Sequence, residues 1–120
     1  MLHALHFLVS LVALARHQHH VGGTGTGEGG GDRAGAVALD LHGGAWNAKD
    51  RFAEEPMDRA LASSGLLVVA VDLTLAAEAP YPACVQDANH AVRWLKANAA
   101  RWNGDISRLG VYGSSSGGHV

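Results

Sequence analysis

Short apolar runs alternate with helical patterns along the second part of the chain. Three such runs are Val37 to Leu41, Leu66 to Val71 and Leu109 to Tyr112, each too short for a typical helix. Their length and their β-branched residues predict strands. Because the middle run is apolar throughout, we expect a sheet that is covered on both faces, with parallel strands.

Two helices are predicted between these strands. The first begins near Pro56 and ends at Gly65, positions at which proline and glycine are common in helices. Met57, Ala60, Leu61 and Ser64 recur at helical spacing within it. The second helix has an inward stripe made of Val85, Ala88, Val92, Leu95 and Ala99, at the three- and four-residue spacing of an amphipathic helix. Its outward side chains are predicted to be Gln86, Asp87, Arg93 and Lys96.

The order strand, helix, strand, helix, strand predicts an α/β fold. Strands joined by helices in this way form a parallel sheet with right-handed crossovers. Functional sites of such sheets lie at the carboxyl ends of the strands. We therefore expect functional residues directly after the predicted strands.

Composition excludes some classes of protein. The chain has 120 residues, of which 48% are hydrophobic, so one domain with a core can form. The formal net charge of -2 comes from dispersed charges, which argues against a nucleic-acid partner because such proteins carry a basic face. The single cysteine, Cys84, excludes an internal disulfide and fits a reducing compartment; we predict that it is a small buried residue at a helix start.

The first 35 residues differ from the rest. Met1 to Ala15 is mostly apolar and ends in small residues, as a signal peptide does, but its start lacks Lys and Arg. Val21 to Gly35 contains eight glycines, which predicts a flexible linker. We expect a disordered leader and linker over 1–35 and a partial domain over 36–120. A cytoplasmic location is favoured, and secretion remains the alternative if 1–15 act as a signal peptide.

A Gly-x-Ser-x-Gly run follows the third predicted strand. It reads Gly113-Ser114-Ser115-Ser116-Gly117, and only Ser115 has glycine two residues before and two residues after it. This pattern is typical of a nucleophile elbow, a tight strand-to-helix turn in which the backbone passes too closely for side chains at the two glycines. We therefore predict that Ser115 is a nucleophile, supported by Gly113 and Gly117.

A second glycine motif follows the first predicted strand. His42-Gly43-Gly44-Ala45 stands at that strand's carboxyl end. A serine nucleophile needs hydrogen-bond donors for the oxyanion that forms on its substrate. The amides of Gly43 and Gly44, together with the amide of Ser116, are candidates for this oxyanion hole. The alternative for this motif is a plain tight turn.

Together these segments resemble a known family, the α/β-hydrolases, and specifically the esterases similar to hormone-sensitive lipase and their carboxylesterase relatives. Four blocks match in order and spacing: Leu41 to Trp46, Val68 to Asp72, Glu78 to Ala99 and Arg108 to His119. The resemblance implies the amino-terminal part of an α/β-hydrolase fold, incomplete in this chain. It implies Ser115 as the nucleophile, with Gly43, Gly44 and Ser116 in the oxyanion hole. It also implies a small-molecule ester as substrate, and neither a metal nor an organic cofactor.

The chain departs from the family pattern in three places. Ala45 stands where the family usually has a third glycine, and the segment Asp72 to Glu78 lacks the family's usual aromatic, arginine and proline residues. The family's catalytic acid and histidine follow the serine in the chain, and only five residues follow Ser115 here. We expect His119 to be a helix residue near the site rather than the base. Asp72 and Asp87 precede the serine, so we expect loop and helix roles for them.

Three functions fit these observations. The first is a serine hydrolase that cleaves carboxylic esters through an acyl-enzyme, with its acid and histidine outside this chain. The alternatives are an inactive truncated remnant of such an esterase and an amidase or formamidase on the same scaffold, because the motifs do not distinguish esters from amides.

Two weaker patterns carry no function. Gly25 to Gly30 lacks the flanking strand and helix of a dinucleotide site. The histidines His17, His19 and His20 have no fixed geometry for a metal.

Overall fold

A computed structural model describes residues 34–120 and the backbone of Val9–Val12. The elements are β1 (Val9–Val12), β2 (Gly35–Leu41), α1 (Glu55–Ser63), β3 (Leu67–Val71), α2 (Ala83–Asn98), a 3₁₀ turn (Ala99–Trp102), β4 (Gly104–Gly113) and α3 (Ser116–His119). The glycine-rich linker, the Gly25 to Gly30 pattern and the histidines near position 20 lie outside the described residues, as does the predicted signal peptide apart from β1.

The sheet has the order β1-β3-β2-β4. Strand β2 lies in the middle and pairs in parallel with both β3 and β4. This confirms the α/β class and the three predicted strands, although β4 begins earlier than the apolar run predicted. Strand β1 pairs antiparallel with β3, from Val9 opposite Val71 to Val12 opposite Val68. The sequence analysis had predicted no strand there.

The main core lies between the sheet and α2. Side chains alternate along β2, so Val37, Leu39 and Leu41 point to the same side of the sheet, and all three are buried in this core. Leu95 and Ala91 meet them from α2. The Trp94 and Trp102 rings stack with their centroids 5.6 Å apart and pack against the same cluster. Cys84 is buried near the start of α2, as expected.

The predicted outward position of Asp87 is wrong. Its carboxylate is buried against the segment that follows β3, where it accepts a hydrogen bond from the backbone N–H of Thr74 at 2.6 Å. A backbone donor in a loop needs an acceptor when it is withdrawn from water. Asp87 therefore fastens this loop to α2, which is the helix role expected for it.

The helical spacing in α1 marks its buried side only at Leu61, which packs against Ala38, Ala62 and Val68. Met57 is 54% exposed and Ala60 is exposed, whereas Asp58 and Ala62 are the buried residues of this helix. The reason is a polar contact: the Tyr112 hydroxyl on β4 donates a hydrogen bond to Asp58. This contact turns Asp58, rather than the apolar Met57, toward the sheet.

Strand β4 is at one edge of the sheet among the described residues. Val111 is 52% exposed there, and no strand from the described part of the chain pairs with the outer side of β4. Exposed strand edges with apolar side chains favour association with other chains. None of the helices in the described part of the chain combines the length and the apolar character needed to cross a membrane.

Truncation of a core side chain tests this packing. Leu95 is fully buried, and Leu95→Ala is expected to lower the free energy of unfolding by about 2–5 kcal/mol because it removes apolar contacts and leaves a cavity. The next residue, Lys96, is exposed on the same helix. Lys96→Ala is the matched control and should change the free energy by at most about 0.5 kcal/mol. Urea unfolding measures both, and equal effects would contradict the described packing.

Candidate functional site

The turn from Gly113 to Gly117, here called the elbow, connects β4 to α3. Ser115 stands at its apex with φ 52° and ψ −117°, a conformation that L-residues rarely adopt. The Ser115 side chain is exposed, while the neighbouring Ser116 is buried. The fold thus holds one of the three consecutive serines in a strained backbone conformation and presents it to solvent.

The elbow glycines are required by close backbone contacts. A Cβ atom at Gly113 would collide with the backbone of Gly117, and a Cβ atom at Gly117 would collide with the carbonyl oxygens of Leu41 and His42. The Ser114 N–H also donates to the Leu41 carbonyl at 3.2 Å. The elbow therefore lies directly against the carboxyl end of β2.

The residues after β2, 42–49, form a loop here called the glycine loop. A Cβ atom at Gly43 would lie 3.3 Å from the Ser115 Cβ and 2.8 Å from the Ser114 carbonyl oxygen. The fold thus brings together the two glycine motifs that the sequence analysis singled out. Within residues 34–120, the amides of Gly43, Gly44 and Ser116 donate no hydrogen bond to a protein acceptor, so these N–H groups are free to bind a ligand.

The glycine loop has a strained backbone beyond its glycines. Gly44 has φ 118°, and Ala45, Trp46 and Lys49 have φ of 52°, 62° and 71°. The left-handed region costs non-glycine residues roughly 1–2 kcal/mol each. Ala45, which replaces the family's third glycine, therefore keeps the backbone conformation for which glycine is suited.

Two hydrogen bonds hold Trp46 in this strained position. Its N–H donates to the Ser116 Oγ at 3.3 Å, and its carbonyl accepts from the Ala76 N–H at 2.7 Å. The first bond joins the glycine loop to the start of α3, and the second joins it to the segment after β3. Strained conformations persist where surrounding contacts determine them in this way.

His42 supports the loop from inside the protein. Its ring is buried, its Nε2 accepts a hydrogen bond from the Leu73 N–H at 3.1 Å, and its Nδ1 lies 2.7 Å from the Gly43 carbonyl oxygen. An acceptor Nε2 requires a neutral ring with its proton on Nδ1, which then donates to Gly43. His42 is therefore a structural link between β2, Gly43 and the segment after β3.

A pocket of about 330 Å³ opens beside the glycine loop. Trp46 and His119 form one wall, with their rings 5.4 Å apart and nearly perpendicular. The lining is mainly apolar and consists of Ala45, Trp46, Asn47, Thr74, Ala76, Ala79, Tyr81, Cys84, Val85 and His119. Among the described residues, no Asp, Glu, Lys or Arg side chain lines it. The pocket is suited to a small uncharged group.

The remaining candidates have the roles expected from the sequence. His119 lies on α3, the helix that begins directly after Ser115, and its ring contacts Trp46. The Asp72 carboxylate pairs with the Arg51 guanidinium at 2.7 Å and also accepts a hydrogen bond from the Arg51 backbone N–H at 2.8 Å.

Within residues 34–120, no group of three His, Cys, Asp or Glu side chains is placed to bind a metal ion.

A buried acidic cluster behind the site was not predicted from the sequence. Asp40 and Asp58 are almost completely buried, on β2 and α1, and Tyr112 contacts Asp58 from β4. One feature of the sequence does indicate this cluster: Asp40 is a carboxylate within an otherwise apolar strand. Such a residue needs partners, and those partners lie far away in the chain.

Comparison with known proteins identifies the family. The BD-FAE family model matches residues 31–120. Carboxylesterase NlhH of Mycobacterium tuberculosis is 42% identical over 85 residues, covering 70% of this chain and 27% of that protein. A thermophilic esterase from Thermogutta terrifontis superimposes with a TM-score of 0.64 and 29% identity, covering 73% of this chain and 32% of that one. Esterase B of Lactobacillus rhamnosis superimposes with a TM-score of 0.70 and 28% identity, covering 73% of this chain and 28% of that one.

The chain spans about a quarter of the length of the curated relatives it matches first. The matched region contains the three parallel strands, the glycine loop and the elbow. The chain therefore belongs to the BD-FAE family and has part of the α/β-hydrolase fold of esterases.

Proposed function

We propose that this chain supplies the nucleophile and the oxyanion hole of a serine hydrolase that cleaves carboxylic esters. The observation that carries the proposal is the strained, exposed Ser115 beside the unpaired amides of Gly43, Gly44 and Ser116. A substrate carbonyl carbon near the Ser115 Oγ would have its oxygen close to these donors. Donors that are already aimed at the developing charge stabilise the transition state without reorganisation.

The proposed reaction has two steps. The Ser115 Oγ attacks the ester carbonyl and loses its proton to a base, and the resulting oxyanion is bound by the three amides. When the tetrahedral intermediate collapses, the alcohol leaves with a proton and an acyl group remains on Ser115. Water then attacks the acyl-enzyme, releases the carboxylic acid and restores the serine.

The base and its supporting acid are proposed to lie outside residues 1–120. His119 is the one histidine after Ser115 in this sequence, and it lies on the helix that Ser115 begins, with its ring against Trp46. A base must be within hydrogen-bonding reach of the serine hydroxyl. We assign His119 to the pocket wall instead.

The pocket beside the glycine loop supports a substrate with a small apolar group. Its volume is at the lower end of the range for small-molecule sites, and among the described residues no Asp, Glu, Lys or Arg side chain lines it. The Thermogutta terrifontis esterase has been described with propionate and with butyrate bound. We propose short-chain, uncharged esters as the substrate class and keep the cytoplasm as the proposed location.

Covalent labelling tests the identity of the nucleophile. Imidazole added to the 120-residue chain can take the serine proton in place of a protein base. With imidazole, we expect a fluorophosphonate to form an adduct on Ser115, measured by intact mass and peptide mapping. Ser115→Ala should abolish this adduct, while Ser114→Ala should retain it because the Ser114 side chain has no assigned role. Without imidazole, we expect no ester turnover.

Other outcomes of this labelling would contradict the proposal. An adduct that survives Ser115→Ala would place the nucleophile elsewhere. If imidazole produced no adduct while circular dichroism showed a folded chain, an inactive remnant would be the better interpretation. Turnover without imidazole that depends on Ser115 would show that the base lies within this chain.

A glycine substitution tests the oxyanion loop. A Cβ at Gly43 would lie 2.8 Å from the Ser114 carbonyl oxygen, so Gly43→Ala must displace the loop from Ser115. We expect the labelling rate to fall by about 10²-fold because small displacements of catalytic groups have effects of this size. The matched control is Gly110→Ala on β4, where a Cβ meets nothing within 4 Å. Gly110→Ala should be labelled at the same rate as the unmodified chain. Equal labelling rates for Gly43→Ala and Gly110→Ala would contradict the assignment of Gly43 to the oxyanion hole.

A further inference from the structure

A buried acidic cluster lies on the α1 side of the sheet, away from the main core. Asp40 on β2 is 1% exposed and Asp58 on α1 is 0% exposed. The cross-strand partner of Asp40 on β4 is Tyr112, and the Tyr112 hydroxyl donates to Asp58. Three elements therefore meet at these three side chains.

The carboxyl groups of this cluster lack ordinary partners. Both oxygens of Asp40 and the Oδ2 of Asp58 are buried without a donor from the described residues. Asp40 is the cross-strand neighbour of Tyr112, whose hydroxyl contacts Asp58, so the two carboxyl groups lie beside the same side chain. Two carboxylates cannot form a hydrogen bond because neither has a donor, whereas a single added proton creates one.

The surroundings of Asp40 favour that proton. The groups that act on it are Asp58, Glu54 and the Tyr112 hydroxyl, which are acidic or neutral. From β3 its cross-strand neighbour is Ala70, which is apolar. Burial, followed by the contact with Asp58, raises the pKa of Asp40 to about 8. Burial likewise raises the pKa of Tyr112, so its hydroxyl stays a donor.

We propose that Asp40 and Asp58 share one proton, and that the resulting hydrogen bond positions the carboxyl ends of β2 and β4 against α1. Asp40 stands two residues before His42, and Tyr112 stands three residues before Ser115. The elbow packs on the carbonyl groups of Leu41 and His42, so the alignment of β2 with β4 sets the position of Ser115 relative to the glycine loop. Asp40 and Asp58 are thus positioning residues that act through the strands and contact no substrate. This proposal depends on the fold and stands whether or not the chain is an esterase.

The sign of the pH dependence follows from the shared proton. In the unfolded chain Asp40 releases its proton at the usual carboxyl pKa, while in the folded chain it keeps the proton up to about pH 8. The folded state therefore binds more protons than the unfolded state between about pH 4 and pH 8, and its stability falls as pH rises through this window. Above it, the two buried carboxylates repel each other and stability no longer changes through this pair.

Urea unfolding of the 120-residue chain between pH 5 and pH 9 tests the proposal. For the unmodified chain we expect the unfolding equilibrium constant to rise by up to about tenfold per pH unit below pH 8. Asp40→Asn should flatten this dependence because the amide does not titrate but still donates to Asp58. Asp40→Ala should lower the urea midpoint at pH 5, where the unmodified chain holds the shared proton, since it leaves Asp58 without this donor. Rescue by asparagine and not by alanine distinguishes the hydrogen bond from simple packing.

Asp105→Asn is the matched control, with the same chemical change on β4. Hydrogen bonds from Ser107 and Arg108 lower the pKa of Asp105, so Asp105 is ionised in both folded and unfolded chains above pH 5. Its replacement should leave the pH dependence of the unmodified chain unchanged. Identical pH profiles for the unmodified chain and Asp40→Asn would overturn the proposal.

A direct measurement covers the case in which the variants do not fold. Carbon-13 NMR of the unmodified chain, labelled at the aspartate carboxyl carbons, should show one aspartate that titrates near pH 8. If every aspartate carboxyl finishes titrating below pH 6, the proton is absent and the proposal is wrong. An increase in the urea-unfolding midpoint on addition of a divalent cation at neutral pH would also overturn the proposal, because a bound cation would then replace the proton.

Discussion

The site depends on one close contact between the ends of two parallel strands. The backbone of Gly117 lies so near the carbonyl oxygens of Leu41 and His42 that no side chain fits between them, and the Ser114 N–H donates to the Leu41 carbonyl. Parallel strands bring their carboxyl ends to the same edge of a sheet. The register of β2 with β4 therefore sets the distance between Ser115 and the glycine loop.

The two sides of β2 are stabilised by different interactions. Val37, Leu39 and Leu41 face α2 in an apolar core, where shape and volume decide the packing. Asp40 faces α1, where carboxyl and hydroxyl groups must find specific partners because unpaired polar groups are costly in a medium of low dielectric. The polar side therefore defines the alignment of β2, α1 and β4 more narrowly than apolar packing alone does.

Strained backbone is concentrated at the candidate site. Ser115, Ala45 and Trp46 all have positive φ, and the Trp46 N–H is held by the Ser116 Oγ across 70 positions of the chain. Each strained residue lies between rigid elements that restrict its movement. The strained backbone presents Ser115 to solvent, and no acceptor within residues 34–120 pairs with the amides of Gly43 and Gly44, which is the arrangement that an acyl-transfer site needs.

Local pattern predicted the three parallel strands and the two helices between them, and it singled out one serine as the candidate nucleophile. The apolar runs predicted β2, β3 and the end of β4 because burial on both faces leaves a continuous apolar sequence. The glycine spacing selected Ser115 among three serines because a tight turn excludes side chains at fixed positions. The inward faces of the helices were predicted less well, since periodicity assumes that apolar side chains point inward.

By itself, the sequence determined the α/β class, the order of the elements and the two glycine motifs, because each of these depends on neighbouring residues. The tertiary structure alone decided that Asp58 and Asp87 point inward, that Trp46 is held against Ser116, and that Asp40 and Asp58 are both buried next to Tyr112. These contacts join residues far apart in the chain, such as Tyr112 and Asp58 at a separation of 54 positions. A buried polar group is tolerated only where the fold brings it a partner, and no local pattern contains that information.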